Sequence, residues 1–594
     1  MSGNEAIALG AWEAGVQVAS GYPGTPSTEI MENLSVYDGV YTEWAPNEKV
    51  GLEVAIGASF AGARALATMK HVGLNVAADP LFTASYTGCR GGLVVLTADD
   101  PSMHSSQNEQ DNRNVALHAK LPMFEPSDPA EAKEFMIKAF ELSEALDTPV
   151  LVRITTRIAH VKGVVEQHKR VAVNEVGEME KHPEKFVMLP AMARKRRFFV
   201  EERMRQCQEI AETAPYNRIE EGKNNRGFIT SGVSYLYVKE AFPDASILKL
   251  GMCWPLPERM IRTFADSVET LYVVEELDPF LETQVKAWGI DCRGKELVPN
   301  IGELNTGIVR KSIEPERAKE SLFEPVDLPM RPPNMCAGCP HRGIFFTLSR
   351  MKVFVSGDIG CYTLGFLPPL NAMDSTVCMG ASVSMAHGMV KALGSGSHNK
   401  VVSVIGDSTF VHSGITGLIN SVYNNSAATL IILDNRITAM TGQQPNPASG
   451  NTIGGEAAQS LDLEGVCRAV GVRHVRVINP HEVPECRKIL KEEIERDEMS
   501  VVISRAPCVL LPEMKRRKPV SYFTNIDNCV GCTACIRLGC PAISWTPFAA
   551  GEAEARGYKK SQKGYSKIDE VLCNDCGQCA SLCKFNAITR GEKK

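Results

Sequence analysis

Nineteen cysteines are spread unevenly along this chain. Four precede residue 336, seven lie from Cys336 to Cys508, and eight lie from Cys529 to Cys583. The last eight read Cys529-x2-Cys532-x2-Cys535-x4-Cys540-Pro541, then Cys573-x2-Cys576-x2-Cys579-x3-Cys583. In paired runs of this kind, three cysteines hold one [4Fe–4S] cluster and the fourth reaches the other. The spacing predicts one cluster on Cys529, Cys532, Cys535 and Cys583, and a second on Cys573, Cys576, Cys579 and Cys540. Zinc is the alternative, but the two runs supply more thiolates than a four-ligand site uses. Two details depart from the usual pattern. Four residues, not three, precede Cys540, and Lys584 stands where proline commonly follows the last cysteine.

A second constellation is looser. Cys336-Ala-Gly-Cys339 is followed by Cys361 in GDIGCYTLG and, much later, by Cys508 in APCVLL. These thiols could ligate a further cluster, or they could be reduced core thiols, since free cysteine buries readily. Cys378, Cys467 and Cys486 read as core thiols, and Cys89, Cys207, Cys253 and Cys292 as ordinary ones.

Two apolar runs end in polar residues. VVSVIGDS closes on Gly406-Asp407-Ser408, and ATLIILDN closes on Asp434-Asn435. Open parallel sheets bind ligands at strand carboxyl ends. A carboxylate and an amide oxygen there suit a small hard cation, and Mg²⁺ completes its shell with phosphate oxygens. Gly406 lets a diphosphate approach the backbone, and a following helix N-terminus favours its charge. The pair resembles the metal motif of thiamine diphosphate enzymes. That likeness implies Mg²⁺ bound by the side chains of Asp407 and Asn435 and by the carbonyl of Ile437, with Ser408 beside the cofactor. Such enzymes also need a carboxylate facing N1′ of the aminopyrimidine, and a buried Glu suits that role. The segment EWAPNEKVGLEVAIGAS offers Glu43, Glu48 and Glu53, and physical chemistry alone does not choose among them.

The elements that must position these residues form an α/β chain. Residues 1–165 alternate apolar runs with Gly-rich turns, with strands expected at 91–96 and 149–154 and a buried helix at 53–67. Residues 166–225 form a linker region, where the charged stretch 192–210 reads as a solvated helix rather than an RNA-binding patch. A second α/β pattern runs over 226–315, with strands at 246–251 and 270–276. RPPNM (331–335) leads into a third α/β segment, 334–515, with strands at 401–408 and 428–435 and a helix near 414–424. The basic stretch MKRRKP (514–519) links it to an α+β segment at 519–590 that carries the eight clustered cysteines.

Composition narrows the partners. The 594 residues are 44% hydrophobic and 23% charged, with 64 basic against 70 acidic residues. Nothing in that balance suggests nucleic acid. Residues 1–20 contain no Lys or Arg, so no secretory signal is expected. No uncharged apolar stretch reaches the length of a spanning helix. The chain is expected in the cytoplasm, where thiols stay reduced.

GYPGTPS (21–27), the GDS and DN pair, CAGCPHRG (336–343) and the C-terminal cysteine runs occur in one order. Together they resemble the 2-oxoacid:ferredoxin oxidoreductases, and among them the large subunits of the indolepyruvate branch. The resemblance covers nearly the whole chain. It implies a thiamine pyrimidine-binding domain at 1–165, with Thr25 near the cofactor and Glu48, in NEKVGLE, as the N1′ glutamate. It implies a transketolase C-terminal-like domain at 226–315, a diphosphate- and Mg²⁺-binding domain at 334–515 and a two-cluster ferredoxin domain at 519–590. It also implies a third, proximal [4Fe–4S] cluster on Cys336, Cys339, Cys361 and Cys508. The implied reaction is oxidative decarboxylation of an aryl pyruvate with coenzyme A, with ferredoxin reduced. Pyruvate or a branched-chain 2-oxo acid is the alternative substrate, and an electron-transfer subunit with a vestigial thiamine site is the alternative class. In the segment MKHVGLN (69–75), Lys70 or His71 could meet the substrate carboxylate or simply lie at the surface. The polar stretch 105–113 could line the pocket or a coenzyme A channel. The gamma-type domain of the wider family has no counterpart segment, so a smaller beta subunit carrying it, within a hetero-oligomer, is expected.

Overall fold

The computed structural model describes all residues except 174–175, 177–180, 318–326, 330–331, 395, 517–519, 556, 559–561 and 592–594. Arg331 of the Pro-rich stretch, residues 517–519 of the basic linker, and 174–175 and 177–180 of the middle region therefore lie outside the described residues. The chain divides into two compact units, Met1–Val326 and Asp327–Lys594.

The first unit contains β1 (Val18–Gly21), β2 (Tyr41–Trp44), β3 (Ala65–Lys70), β4 (Leu93–Asp99), β5 (Met123–Phe124), β6 (Val150–Thr155), β7 (Arg218–Glu220), β8 (Arg226–Ser231), β9 (Ser246–Leu250), β10 (Met252–Trp254) and β11 (Thr270–Val274). A seven-stranded sheet runs β10-β5-β6-β4-β3-β1-β2, and a four-stranded sheet runs β11-β8-β9-β7. Strands β1 to β6 are mutually parallel; only β10 is antiparallel, against β5. Every residue of β3, β4 and β6 is buried. That is why they read as unbroken apolar runs rather than alternating ones. Strand β10 belongs to the 226–315 segment yet pairs with β5, and Cys253 on it packs in the core beneath β3 and β4.

Two local expectations need correction. The alanine-rich stretch 53–67 is not one helix. The helix runs Glu48–Ala61, Gly62 closes it with φ +102°, and residues 65–67 belong to β3. Small side chains permit either state, and the left-handed glycine decides where the helix stops. The charged helix Pro190–Thr213 is not solvated all round. Arg196, Val200, Arg203, Cys207 and Ala211 form a buried stripe at helical spacing. Arg196 donates to the carbonyls of Tyr86 (2.7 Å) and Thr87 (3.2 Å), and Arg203 to that of Ser85 (3.1 Å). These are the last carbonyls of the helix Ala78–Thr87, which the two guanidiniums cap.

The second unit contains β12 (Phe354–Ser356), β13 (Val401–Gly406), β14 (Thr429–Asp434), β15 (His474–Ile478), β16 (Ser500–Arg505), β17 (Tyr522–Thr524), β18 (Ile543–Pro547), β19 (Gly564–Ile568) and β20 (Ile588–Arg590). Its parallel sheet has the order β12-β13-β14-β16-β15. Two antiparallel ribbons, β17-β20 and β18-β19, carry the C-terminal cysteines. One apolar core joins Val402, Leu433 and Val502 of the sheet side to Leu538, Ala542, Ile568 and Ile588 of the ribbons. The cysteine-rich segment is thus fused to the parallel sheet rather than tethered to it. Cys467 and Cys486 are buried as expected, but Cys378 is exposed and is not a core thiol.

Candidate functional site

In the first unit the candidate residues gather where parallel strands end. Thr25 follows β1, Glu48 follows β2, Lys70 and His71 lie at the end of β3, and Ser105 follows β4. Asn47 caps the helix that opens with Glu48 by accepting from the Val50 amide (2.9 Å). Glu48 is 5% exposed, while Glu53 is exposed and ion-paired with Lys49. Glu43 is partly exposed on β2 and accepts from Ser20 Oγ and Tyr41 Oη, each at 2.9 Å. A methyl group on Gly73 would stand 2.6 Å from Glu48 Oε1, so that glycine makes room for the carboxylate.

Lys70 and His71 are buried rather than at the surface. Lys70 Nζ donates to the Ser105 carbonyl at 2.7 Å, and Ser105 Oγ donates to the Thr25 carbonyl at 3.2 Å. Burial holds the Lys70 ammonium down to about 8. His71 contacts the Asn108 carbonyl through Nε2 (3.2 Å). The polar stretch 105–113 therefore divides in function. Its first residue stitches Thr25 to Lys70. Its end enters a buried charge network that the sequence reading missed: Arg113 bonds Asp111 (Nε to Oδ1, 2.9 Å) and Glu275 (Nη1 to Oε2, 2.7 Å). Glu275 also accepts from the amides of Leu281 and Glu282. This network ties the 226–315 segment to the seven-stranded sheet. Only the acid-rich end of β11, TLYVVEE, hinted at it.

In the second unit Cys361 follows β12, Asp407 follows β13, Asn435 follows β14 and Cys508 follows β16. Gly406 is needed because a Cβ there would stand 2.6 Å from the Tyr362 ring. Asp407 is 2% exposed. Burial, and then the neighbouring Asp434 charge, push its carboxyl up to about 7. Its side-chain partner is Asn446 Nδ2 at 3.4 Å, and no basic side chain pairs with it among the described residues. Asp434 is held by Arg505 (2.7 Å), yet its Oδ1 is buried without a hydrogen-bond partner. The Asn435 amide nitrogen donates to His341 Nε2 at 3.3 Å, and its oxygen accepts from the Ile437 amide at 3.1 Å. Burial holds His341 down to about 4, so its ring is neutral and can accept. Ser408 Oγ accepts from Thr438 Oγ1 (2.9 Å). A buried carboxylate lacking a cation, beside an amide oxygen and a turn of backbone, fits a hard divalent ion. A cavity of about 390 Å³ lies next to this loop, lined by Arg436, Ile437, Asn451, Thr452 and Glu513 among others.

The proximal cysteines meet at the same sheet end. The Cys508 amide donates to the Asn435 carbonyl at 3.1 Å. Burial pushes the Cys361 thiol up to about 11, with Cys508 and Cys336 as its nearest like charges. Burial likewise pushes Cys339 up to about 12, beside Cys336 and Cys508. Cys508 in turn feels Cys336 and Asp407. Thiols this costly to ionise become thiolates when a metal cluster supplies the compensating charge.

Cys529, Cys532, Cys535 and Cys583 line one small pocket with Trp545 and Phe585. The Ala587 amide donates to Cys583 Sγ at 3.3 Å, so Lys584 does not displace that cysteine from the set. Cys576 is pushed up to about 11 by burial, then by Cys540 and Cys573. Cys579 is raised too, by burial and then by Cys576, Cys573 and Cys540. Cys529, Cys532, Cys535 and Cys583 thus share one pocket, while Cys579 feels Cys576, Cys573, Cys540 and also Cys535. No three His, Cys, Asp or Glu side chains among the described residues converge tightly enough to hold one metal ion. Thiolates around a four-iron cluster stand wider apart than those of a single tetrahedral zinc.

The residue before Cys540 in the four-residue gap is Gly539, with φ +66°. The loop 336–339 is stitched to the second cysteine run. Asn574 Nδ2 donates to the Ala337 carbonyl (2.7 Å) and Gln578 Nε2 to the Cys339 carbonyl (3.0 Å). No helix among the described residues is long and apolar enough to cross a membrane.

Comparison with known proteins assigns the segments that carry these residues to known families. A family model described as pyruvate flavodoxin/ferredoxin oxidoreductase, thiamine diP-bdg, fits residues 9–221. One for the C-terminal TPP binding domain of thiamine pyrophosphate enzymes fits 358–504, and a 4Fe-4S binding domain fits 566–589. Indolepyruvate oxidoreductase subunit IorA of Archaeoglobus fulgidus is 43% identical, over 99% of this chain and 96% of its own. The Pyrococcus abyssi subunit of that name is 40% identical over the same shares. The 2-oxoglutarate synthase subunit KorA of Methanothermobacter thermautotrophicus is 26% identical over 51% of this chain and 94% of its own. A solved 2-oxoglutarate:ferredoxin oxidoreductase from Magnetococcus marinus aligns at TM-score 0.44 and 17% identity, over 53% of this chain and 64% of that one, too slight a likeness to argue from. At 43% identity over nearly its full length, the chain belongs to the IorA family of indolepyruvate oxidoreductase subunits, oxidoreductases of the 2-oxoacid family that use thiamine diphosphate and iron–sulfur clusters.

Proposed function

We propose that this chain is the catalytic large subunit of a coenzyme A-acylating indolepyruvate:ferredoxin oxidoreductase. An aryl pyruvate, coenzyme A and two oxidised ferredoxins become arylacetyl-coenzyme A, carbon dioxide, two reduced ferredoxins and a proton. The observation that carries this reading is the adjacency of Cys508 to the metal loop, its amide on the Asn435 carbonyl. A redox site at the metal loop is what an oxidative decarboxylase needs and a non-oxidative one does not.

When bound, thiamine diphosphate supplies the nucleophilic carbon and the electron sink. The chain's own residues hold it and move its protons. Asp407 and Asn435 bind Mg²⁺ by side chain and Ile437 by its carbonyl, with Gly406 and Ser408 beside the diphosphate. Thr25 lies against the pyrimidine. Glu48 shares a proton with N1′, and its burial between the helix start and Gly73 keeps water from that proton. Cys336, Cys339, Cys361 and Cys508 hold a proximal [4Fe–4S] cluster. The sets Cys529, Cys532, Cys535, Cys583 and Cys573, Cys576, Cys579, Cys540 hold the other two. Residues 1–165 and 334–515 serve as the pyrimidine- and diphosphate-binding domains, and 519–590 passes electrons to ferredoxin.

A smaller beta subunit with the gamma-type domain completes the hetero-oligomer in the cytoplasm; the relatives are themselves named as subunits. The test is an anaerobic assay of the purified complex with indolepyruvate, pyruvate and branched-chain 2-oxo acids, each with coenzyme A and ferredoxin. The expected result is coenzyme A-dependent ferredoxin reduction, fastest with indolepyruvate. Faster turnover of pyruvate overturns the substrate, and no reduction with any 2-oxo acid overturns the activity.

A further inference from the structure

Arg342 is 2% exposed, in the second turn of CAGCPHRG. A buried guanidinium ordinarily pairs with a carboxylate, because desolvating an uncompensated charge is costly. Arg342 has no acidic partner among the described residues. Five of its bonds go to neutral oxygens. Nε donates to the Cys336 carbonyl (3.1 Å), and Nη1 to the carbonyls of Leu538 (3.1 Å) and Gly539 (2.7 Å). Nη2 donates to Asn334 Oδ1 (3.0 Å) and to the Met335 carbonyl. The ionisable groups that act on it most strongly are the thiols of Cys540, Cys339, Cys336 and Cys576. Two of these belong to the proximal set and two to the second C-terminal set.

Gly539 precedes Cys540 in the four-residue gap of the first cysteine run. It lies in the left-handed region, and its carbonyl accepts from Nη1 of Arg342. A side chain at Gly539 would also meet Pro369 Cδ at 2.8 Å and Arg342 Nη1 at 3.3 Å. Backbone from both cysteine sets is thus folded around one cation.

We propose that Arg342 is the shared counter-charge of two clusters, the proximal one and the one on Cys573, Cys576, Cys579 and Cys540. It holds their loops together and raises the potentials of both. The inference rests on the three-cluster reading above. A thiolate-ligated cluster is a net anion and gains one more negative charge when reduced, so a fixed cation nearby favours the reduced form. Arg342 is a positioning residue, since it touches loop carbonyls rather than iron.

The test is an EPR-monitored redox titration of the anaerobically purified complex, with iron counted per chain. Two variants perturb the cation differently. Arg342→Gln removes the charge, and Asn334→Asp, at an exposed position, sets a carboxylate against the guanidinium without changing shape. In both, the proximal and Cys573-set potentials are expected to fall while the Cys529-set potential stays, and Arg342→Lys is expected to recover most of the loss. A wild-type count near eight irons instead of about twelve overturns the proximal cluster and the bridge with it, at about four irons per cluster. Twelve irons with both potentials unmoved in Asn334→Asp overturns the role of Arg342 alone. A uniform fall of all three potentials also overturns it. If Arg342→Gln fails to load iron, Asn334→Asp still decides.

Discussion

Glu48 is held in place by its neighbours. Asn47 starts its helix and Gly73 leaves room for its carboxylate. Glu48→Gln keeps the shape but cannot exchange the proton. Turnover is expected to fall by roughly 10²–10⁴ while iron per chain is unchanged, checked by steady-state assay beside iron analysis. Unchanged turnover would favour a chain that only relays electrons. Glu276 makes a different prediction. It is buried and pushed up to about 7 by that burial, against an ordinary value of 4.5. The folded state therefore binds this proton more tightly than the unfolded chain. The stabilisation is full below about 4.5 and is lost as pH rises through about 7. Glu276→Gln is expected to raise the melting temperature at pH 8, by an effect on the order of 1–3 kcal/mol, and to change it little at pH 5. Equal shifts at both pH values would sink this account. Asp407 and Asn435 were readable in the sequence because each closes a strongly apolar strand. Arg113 with Glu275, 162 positions apart, was not, because neither lies in a local pattern that announces a partner.

At the scale of elements, strand ends do the positioning. Thr25, Glu48, Lys70 and Ser105 of the first unit close or follow four parallel strands, and Cys361, Asp407, Asn435 and Cys508 of the second unit follow another four. The helix Pro190–Thr213 shows what a charge-rich element can do besides face water. Arg196 and Arg203 close the exposed carbonyls of the helix Ala78–Thr87, and Arg203 also bonds Asp147 at 2.5 Å. Arg203→Met keeps most of the packing but takes the donor from the Ser85 carbonyl and one of three cations from Asp147, which keeps Arg196 and Lys185. It is expected to destabilise the protein by about 1.5–3 kcal/mol, read from the shift of the urea midpoint at constant slope. A shift below about 0.5 kcal/mol would mean that the helix docks through its apolar residues alone. The stripe 196, 200, 203, 207, 211 lay open in the sequence, but two of its five members are arginines, and polarity hid it. The division of 53–67 into helix and strand was hidden for another reason. Alanine and glycine fit both states, and the sheet pairing of Ala65 to Ala67 with Leu93 to Val95 settles it.

At the scale of the whole molecule, the second unit has one continuous core through the parallel sheet and the cysteine-bearing ribbons. The three cluster sites proposed above imply about twelve irons per chain after anaerobic purification. Cys508→Ser is expected to lower the count to about eight and to abolish ferredoxin reduction, while thiamine diphosphate stays bound. An unchanged iron count in that variant would remove Cys508 from the ligands. By itself the sequence determined the chemistry. Paired cysteine runs and a carboxylate and an amide at two strand ends are local patterns, and spacing within a few residues carries them, whereas Glu48 was set apart from Glu43 and Glu53 by the family resemblance alone. Only the tertiary structure decided which distant groups share a site. It brought Cys336, Cys339, Cys361 and Cys508 to one sheet end, wrapped two cysteine loops around Arg342, and joined Arg113 to Glu275. Those meetings depend on strand order and on the desolvation of buried charge. Both are properties of the packed chain that no short stretch of residues encodes.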